Sequence, residues 1–302
     1  MITKPKHILV PTDFSETASH ALRYASNLAH GLGASLTVVY CDPFLPPIDY
    51  TATVGGWDEG SFAELKARAQ DQLRHDAEVN IDPSVPYETV VGVAPPLEGI
   101  LAQALQSKAD LIVMGTHGRT GFRRLFIGSV AESVMRKSDA PVITVPPRCE
   151  STPAIRTVIC PAIERDQCFD ALSFAAAIVP TDAKFIVVGA AAAQDPVQTA
   201  QDLAKLRGWV PEAIASRCEA MTFGSGHVAD QIAGYAAALH ADLIVAVEPV
   251  DRSAADVLYG TFAARLVQSS HCPVLTVNFP ASMRVAQLAE LQYRTDLVFS
   301  NH

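Results

Sequence analysis

Short apolar, β-branched runs alternate along the chain with longer stretches whose apolar residues recur at helical spacing. His7-Ile8-Leu9-Val10 reads as a buried strand. Ser15 is placed to cap the next helix, which carries Ala18, Leu22, Ala25 and Leu28-Ala29 on one face and meets Gly31 and Gly33 at its end. A strand over 35–41, a Pro/Gly-rich loop to about residue 60 and a helix over 62–79 follow. A strand over 87–93 leads to a helix over 97–106. A strand over 110–114 then enters a Gly-rich loop and a helix over 129–136, and a strand over 141–145 closes the unit. Uniformly apolar strands alternating with helices predict a parallel sheet covered on both faces, a doubly wound α/β fold.

The same order then repeats, with strands over 156–160, 184–189, 217–223, 242–247 and 273–277 and helices over 166–179, 197–208, 228–239 and 261–269. Ala109-Asp110-Leu111-Ile112-Val113 recurs 132 residues on as Ala241-Asp242-Leu243-Ile244-Val245. At the same offset Gly128-Ser129 meets Gly260-Thr261, and Pro141-Val142-Ile143-Thr144-Val145 meets Pro273-Val274-Leu275-Thr276-Val277. A match this long without a gap marks a duplication. The expected organisation is two tandem five-stranded α/β domains, 1–146 and 154–280, joined by a linker over 146–153 and followed by a tail over 281–302. The closing strands, ending at Val145 and Val277, are expected to be sheet edges, and exposed edges invite pairing.

Composition narrows the function. The 302 residues are 49% hydrophobic and 18% charged, which suits a soluble two-domain protein with substantial cores. Net charge is −9, spread over both halves, with no basic stripe. Nucleic acid and anionic membranes are therefore poor partners. No apolar stretch is long enough for a membrane span, and the N-terminus has no signal-peptide pattern. The six cysteines form no C-x-x-C pair, so reduced thiols in a cytoplasmic protein are expected.

The informative segment is Met114-Gly115-Thr116-His117-Gly118-Arg119-Thr120-Gly121, ending at Gly128-Ser129-Val130. It leaves the end of a strand and enters a helix. Glycines there let backbone N–H groups approach phosphate oxygens, and the helix N-terminus adds donors and a favourable dipole. Arg119, Arg123 and Arg124 place positive charge between the glycine clusters. The competing reading is that the glycines merely make a turn. The segment is neither a Walker A loop nor a G-x-G-x-x-G fingerprint.

Gly115-x-x-Gly118, nine residues, then Gly128-Ser129, together with the opening Ile8-Leu9-Val10-Pro11-Thr12-Asp13, resembles the universal stress protein family in its tandem form. The resemblance covers roughly residues 5–146 and 155–278. It implies a Rossmann-like, adenine nucleotide alpha hydrolase-like fold, with the two halves arranged as a pseudo-dimer through their closing strands and a possible homodimer through the same edges. It also implies ATP, ADP or AMP as ligand, with Mg2+ as an accompanying ion, and an unidentified protein partner in stress signalling. By the same resemblance, Asp13 contacts the nucleotide, Pro11 and Thr12 line its turn, and Cys41, with Tyr40 beside it, offers main-chain contacts to adenine. Met114, Gly115, Gly118, Arg119, Gly128, Ser129 and Val130 complete the pocket, and His117 either contacts phosphate or is simply exposed.

The second copy departs from this pattern. Asp13 becomes Ile163, and the glycine loop becomes Val247-Glu248-Pro249-Val250-Asp251, with only Gly260-Thr261 retained. Carboxylates there would repel a polyphosphate. One nucleotide site per chain is expected, in the first half. The duplicate also suggests that the fold does not require the glycines and that a ligand does. No paired general acid and base, H-E-x-x-H or C-x-x-C pattern accompanies the loop, so a binding protein is expected rather than an enzyme. A scaffold without nucleotide and an ATP-consuming enzyme are the alternatives.

Overall fold

The computed structural model describes residues 4–41, 59–116, 127–147, 149, 154–162, 165–190, 196–223, 228–247 and 262–277. The first half runs β1 (His7–Thr12), α1 (Glu16–Leu32), β2 (Ser35–Cys41), α2 (Glu59–Asn80), β3 (Tyr87–Gly92), α3 (Pro96–Gln106), β4 (Leu111–Gly115), α4 (Ser129–Lys137) and β5 (Val142–Val145). The second half runs β6 (Thr157–Pro161), α5 (Arg165–Ile178), β7 (Lys184–Ala190), α6 (Pro196–Arg207), α7 (Glu212–Ala215), β8 (Cys218–Phe223), α8 (Val228–Ala238), β9 (Leu243–Val247), α9 (Phe262–Ser269) and β10 (Val274–Val277). The pattern announces all of these except the one-turn α7, which is too short to show a helical period. Ser15 caps α1 by accepting the Ala18 N–H, and Gly33 ends that helix at φ 65°.

The strands form one ten-stranded sheet in the order β3-β2-β1-β4-β5-β10-β9-β6-β7-β8. Neighbours within each half are parallel, and β5 and β10 pair antiparallel. The two expected sheets are thus halves of one, and the pseudo-dimer is made by the closing strands. Ile143 lies opposite Leu275, its own counterpart, with Val142 opposite Thr276 and Thr144 opposite Val274. A pseudo-twofold axis therefore passes through the Ile143–Leu275 pair. This corrects one expectation. The closing strands are not free edges, because each is paired with the other inside the chain, so a homodimer through them has no edge to use. The sheet ends instead at β3 and β8.

The retained letters of the repeat have structural work. Asp110 Oδ2 accepts the N–H groups of Lys6 and His7 at 2.8 and 3.0 Å, and Asp242 Oδ2 accepts those of Arg156 and Thr157 at 2.8 and 2.9 Å. Each carboxylate ties the entry of β4 or β9 to the start of the neighbouring strand. Lys108 and His240, just beyond α3 and α8, both take positive φ, 52° and 49°. Ser138 Oγ donates to the Ala140 carbonyl and Ser270 Oγ to that of Cys272. Alternation along the strands splits the core into two layers that run through both halves. One contains Ile8, Val10, Ile143 and Leu275 under α1 and α5; the other contains Leu9, Ile112, Ile159 and Ile244 under α3, α4, α8 and α9.

Candidate functional site

The strand order reverses between β1 and β4: β2 and β3 lie beyond β1, and β5 lies beyond β4. Open α/β sheets bind ligands in the crevice that such a reversal leaves at the strands' C-terminal ends. Pro11 and Thr12 finish β1, Asp13 follows them, and Met114 and Gly115 finish β4. The sequence-predicted residues of these two segments therefore meet at one place.

Asp13 is half-buried, and its Oδ1 accepts the Ser15 N–H at 3.1 Å, which leads the chain into the α1 cap. Phe14 sits at φ 62°. That left-handed conformation costs an aromatic residue on the order of 1–3 kcal/mol. Thr12 Oγ1 accepts the Phe14 N–H at 3.1 Å, and the Phe14 ring lies 4.5 Å from that of Tyr40; both contacts help to hold it. Thr12 itself is buried and donates to Asp76 Oδ2 on α2 at 3.3 Å.

Cys41 ends β2 with its thiol packed inward. A Cβ on Gly99 would lie 2.5 Å from the Cys41 Sγ and one on Gly92 3.2 Å, so these glycines make the slot it occupies. Burial pushes this thiol up to about 11. Cys41 is a neutral packing group, and main-chain atoms are what it can offer a ligand.

Met114 is buried in the core layer with Leu9, Val39 and Ile127. A Cβ on Gly115 would lie 2.8 Å from Thr17 Cγ2 and 3.1 Å from the Thr17 carbonyl carbon and oxygen. The end of β4 thus packs directly on the first turn of α1. This narrows the inference from the duplicate, because in the first half the tight contact with Thr17 favours a glycine at 115 whether or not a ligand binds.

The loop after Gly115 is closed at its base. The Thr116 N–H donates to the Val145 carbonyl at 3.1 Å, and the Gly128 N–H donates to the Thr116 carbonyl at 2.8 Å. The Gly128 N–H is therefore engaged within the protein. Gly128 is the N-cap of α4, and among the described residues no side chain caps that helix. Its first-turn N–H groups, at Ser129, Val130 and Ala131, lack intrahelical acceptors. They form, with the dipole, an anion-favouring end beside β4. Ser129 is exposed and Val130 half-buried against the core.

His117, Gly118 and Arg119, with Arg123 and Arg124, lie outside the described residues, as do Ile163 and residues 248–261 of the second half. Reading the sequence misses Asp76, Phe14 and Thr17. Asp76 lies 64 residues from Thr12, and no local pattern signals that contact. Among the described residues no three His, Cys, Asp or Glu side chains group as a metal site. No described helix is long and apolar enough to cross a membrane. A cavity of about 340 Å³ lies elsewhere, between the second half of α1 (Tyr24, Leu28, Gly31) and the end of α5 (Ile178, Val179), and no candidate site residue lines it.

Comparison with known proteins agrees with this architecture. The model of the universal stress protein family matches residues 4–146 and 162–278. A universal stress protein of Methanocaldococcus jannaschii is 34% identical over 140 residues, 46% of this chain and 81% of that protein. One from Thermus aquaticus is 36% identical over 142 residues, 46% of this chain and 98% of that protein. The crystal structure of a universal stress protein from Archaeoglobus fulgidus matches with a TM-score of 0.69 at 17% identity, covering 93% of this chain and 98% of that one. At that identity the likeness speaks for the fold, and it extends over both halves.

Proposed function

We propose that this chain, which belongs to the universal stress protein family, binds one adenine nucleotide in its first half and acts in a stress response through partners that read the bound state. One observation carries the reading. The Thr12-Asp13 turn and the uncapped N-terminus of α4 flank the reversal point between β1 and β4. A carboxylate on one side and free helix-end N–H groups on the other suit a ligand with hydroxyl or amino donors at one end and phosphates at the other. Asp13 would accept from ribose or adenine. The N–H groups of Ser129 and Val130, with the Ser129 hydroxyl, would donate to phosphate, and the main chain at Cys41 would meet the base. Mg2+ would be held chiefly by the phosphates, as is usual for that ion.

The second half lacks this pairing of features in its sequence, with Ile163 at the Asp13 position and Val247 at the Gly115 position. The function is binding rather than catalysis, in the cytoplasm, where cysteines stay reduced. Bound nucleotide can move the protein between states only if those states differ in affinity for it.

Mass spectrometry of nucleotide released from natively purified protein, with Asp13→Ala and Gly118→Val alongside, tests the site. One adenine nucleotide per chain is expected, with both variants depleted. Unchanged occupancy in both variants would overturn the assignment. Multiple-turnover release of ADP, AMP or pyrophosphate, lost in Gly118→Val, would replace the binding role with an enzymatic one.

A further inference from the structure

A run of side-chain hydrogen bonds ties the β1–α1 turn to α2. Asp76 Oδ2 accepts from Thr12 Oγ1 at 3.3 Å. Asp76 Oδ1 accepts from Ser19 Oγ at 3.4 Å and from Asn80 Nδ2 at 2.9 Å. Asn80 Oδ1 accepts in turn from Arg23 at 2.6 Å. A threonine hydroxyl has one proton, and here it goes to Asp76. The lone pairs of the same oxygen then face the Phe14 N–H, 3.1 Å away. The carboxylate sets the direction of a hydroxyl, the hydroxyl holds an N–H, and that N–H belongs to the left-handed residue beside Asp13.

The second half is an internal control. At the offset of 150 that carries Asp13 to Ile163, Thr12, Ser19 and Arg23 become Ala162, Phe169 and Ser173. Ala162 has no hydroxyl to give. Phe169 is 46% exposed at the position of a hydrogen-bonded serine. The Ser173 hydroxyl donates back to the Phe169 carbonyl at 2.7 Å. Both halves nevertheless build the same fold with the same Asp110/Asp242 and Ser138/Ser270 devices. The network is therefore not needed for the fold. It is present in the half that carries Asp13, and its Thr12, Ser19 and Arg23 are replaced by Ala162, Phe169 and Ser173 in the half that does not.

We propose that Asp76 is a positioning residue of the first-half nucleotide site. Through Thr12 it holds the Phe14 turn, and with it Asp13, in the geometry that meets the ligand; it does not touch the ligand itself. The proposal rests on the nucleotide-binding reading above. The competing role is a plain clamp between α1 and α2, and Ser19→Ala probes that role without touching Thr12.

Two readouts on the full-length protein separate these roles: hydrogen exchange of the Phe14 amide in the nucleotide-free state, and the ATP dissociation constant by calorimetry. Loss of one net hydrogen bond predicts that Asp76→Ala speeds Phe14 exchange and weakens ATP binding, each about five- to tenfold. Asp76→Asn keeps an acceptor and stays within about twofold of wild type on both measures. Ser19→Ala leaves Phe14 exchange unchanged. In a Thr12→Val background, Asp76→Ala adds no further loss of affinity, because the two residues act in series. Asp76→Leu, which keeps the branched shape and removes the acceptor, serves if the alanine variant fails to fold. Unchanged Phe14 exchange in Asp76→Ala, or losses that multiply between Asp76→Ala and Thr12→Val, would overturn the proposal. A wild-type protein that binds no adenine nucleotide would remove the functional reading, while Phe14 exchange would still decide whether Asp76 positions the turn.

Discussion

Gly115→Ala adds one methyl group where the end of β4 meets the first turn of α1. The new Cβ would lie 2.8 Å from Thr17 Cγ2 and 3.1 Å from two Thr17 main-chain atoms. The methyl contact can be relieved by a side-chain rotation. The other two cannot, because the Ser15 cap anchors that turn through the Ala18 N–H. Inserting a methylene-sized group into a packed interior costs about 1–3 kcal/mol, and main-chain contacts favour the upper part of that range. Gly92→Ala is the comparison. Its nearest neighbour is the Cys41 sulfur at 3.2 Å, a side-chain atom, and a cost below about 1 kcal/mol is expected. Urea unfolding of the full chain, followed by far-UV circular dichroism, reads both. Thr17→Ala removes the 2.8 Å contact and leaves those at 3.1 Å, so it should recover only part of the loss. ATP affinity of the same variants separates packing from binding. If Gly115→Ala stays within about 0.5 kcal/mol of wild type, the surface-like range, yet loses its nucleotide, the packing argument is wrong and the glycine serves the ligand alone.

Four further outcomes follow from the same structure. Asp110→Ala and Asp242→Ala should each cost about 1–2 kcal/mol in urea, since each frees two N–H groups that water can partly satisfy; a large difference between them would mean that the halves do not share the device. At pH 7.5 a thiol reagent should leave Cys41, Cys160 and Cys168 unmodified in the native protein, because all three are buried, and should reach them in urea. The Cys41 thiol, raised from 9.0 to about 11, also sets an alkaline limit. Above pH 9 the unfolded chain holds fewer protons than the folded one, so this stabilising contribution is complete below 9 and lost as pH rises through about 11. Cys41→Ala should therefore flatten the fall in melting temperature across that interval, and an unchanged fall would remove Cys41 as its cause. Leu275→Asp buries an unpaired carboxylate opposite Ile143 at the pseudo-dyad. It should cost at least about 3 kcal/mol and, by freeing the β5 and β10 edges, shift gel-filtration elution towards larger species. Wild-type stability and elution would contradict the seam.

Much of the fold was legible because its signals are local. Apolar runs, a capping serine and a 132-residue self-match give the elements, their order and the duplication. The joining of the halves was legible only as a tendency of edge strands, since register is decided by which two edges meet; the Ile143–Leu275 pairing needed the structure. At the candidate site, the placing of Asp13 and Gly128-Ser129 near strand ends could be read because motif and strand end coincide. Phe14, Thr17 and Asp76 could not. A positive φ at an aromatic residue, a methyl group lying where a Cβ would go and a carboxylate from a distant helix are all tertiary facts. The glycines show how the inference can mislead. Their loss in the duplicate suggested that only a ligand needed them, whereas Gly115 also answers to Thr17.

Most of what the two halves share lies where strands begin; Pro11 against Pro161 and Gly128-Ser129 against Gly260-Thr261 are the shared residues at the other end. Asp110/Asp242 and Lys108/His240 stand where strands begin, and they make the same bonds or take the same backbone conformation in both copies. The differences gather where strands end: Thr12 against Ala162, Asp13 against Ile163, Gly115 against Val247. Strand entries answer to folding, which both halves must accomplish, so duplication leaves them alone. Strand exits are where open α/β sheets bind ligands, and under the proposed single site the second copy is free to drift there. Substitutions at strand entries should therefore cost stability about equally in either half. Substitutions of Thr12 or Asp13 should cost nucleotide affinity, while changes at Ala162 or Ile163 should leave it untouched. If changes at those second-half positions lowered nucleotide occupancy as much as Asp13→Ala, the two halves would have to share the ligand, and a single first-half site would be the wrong description.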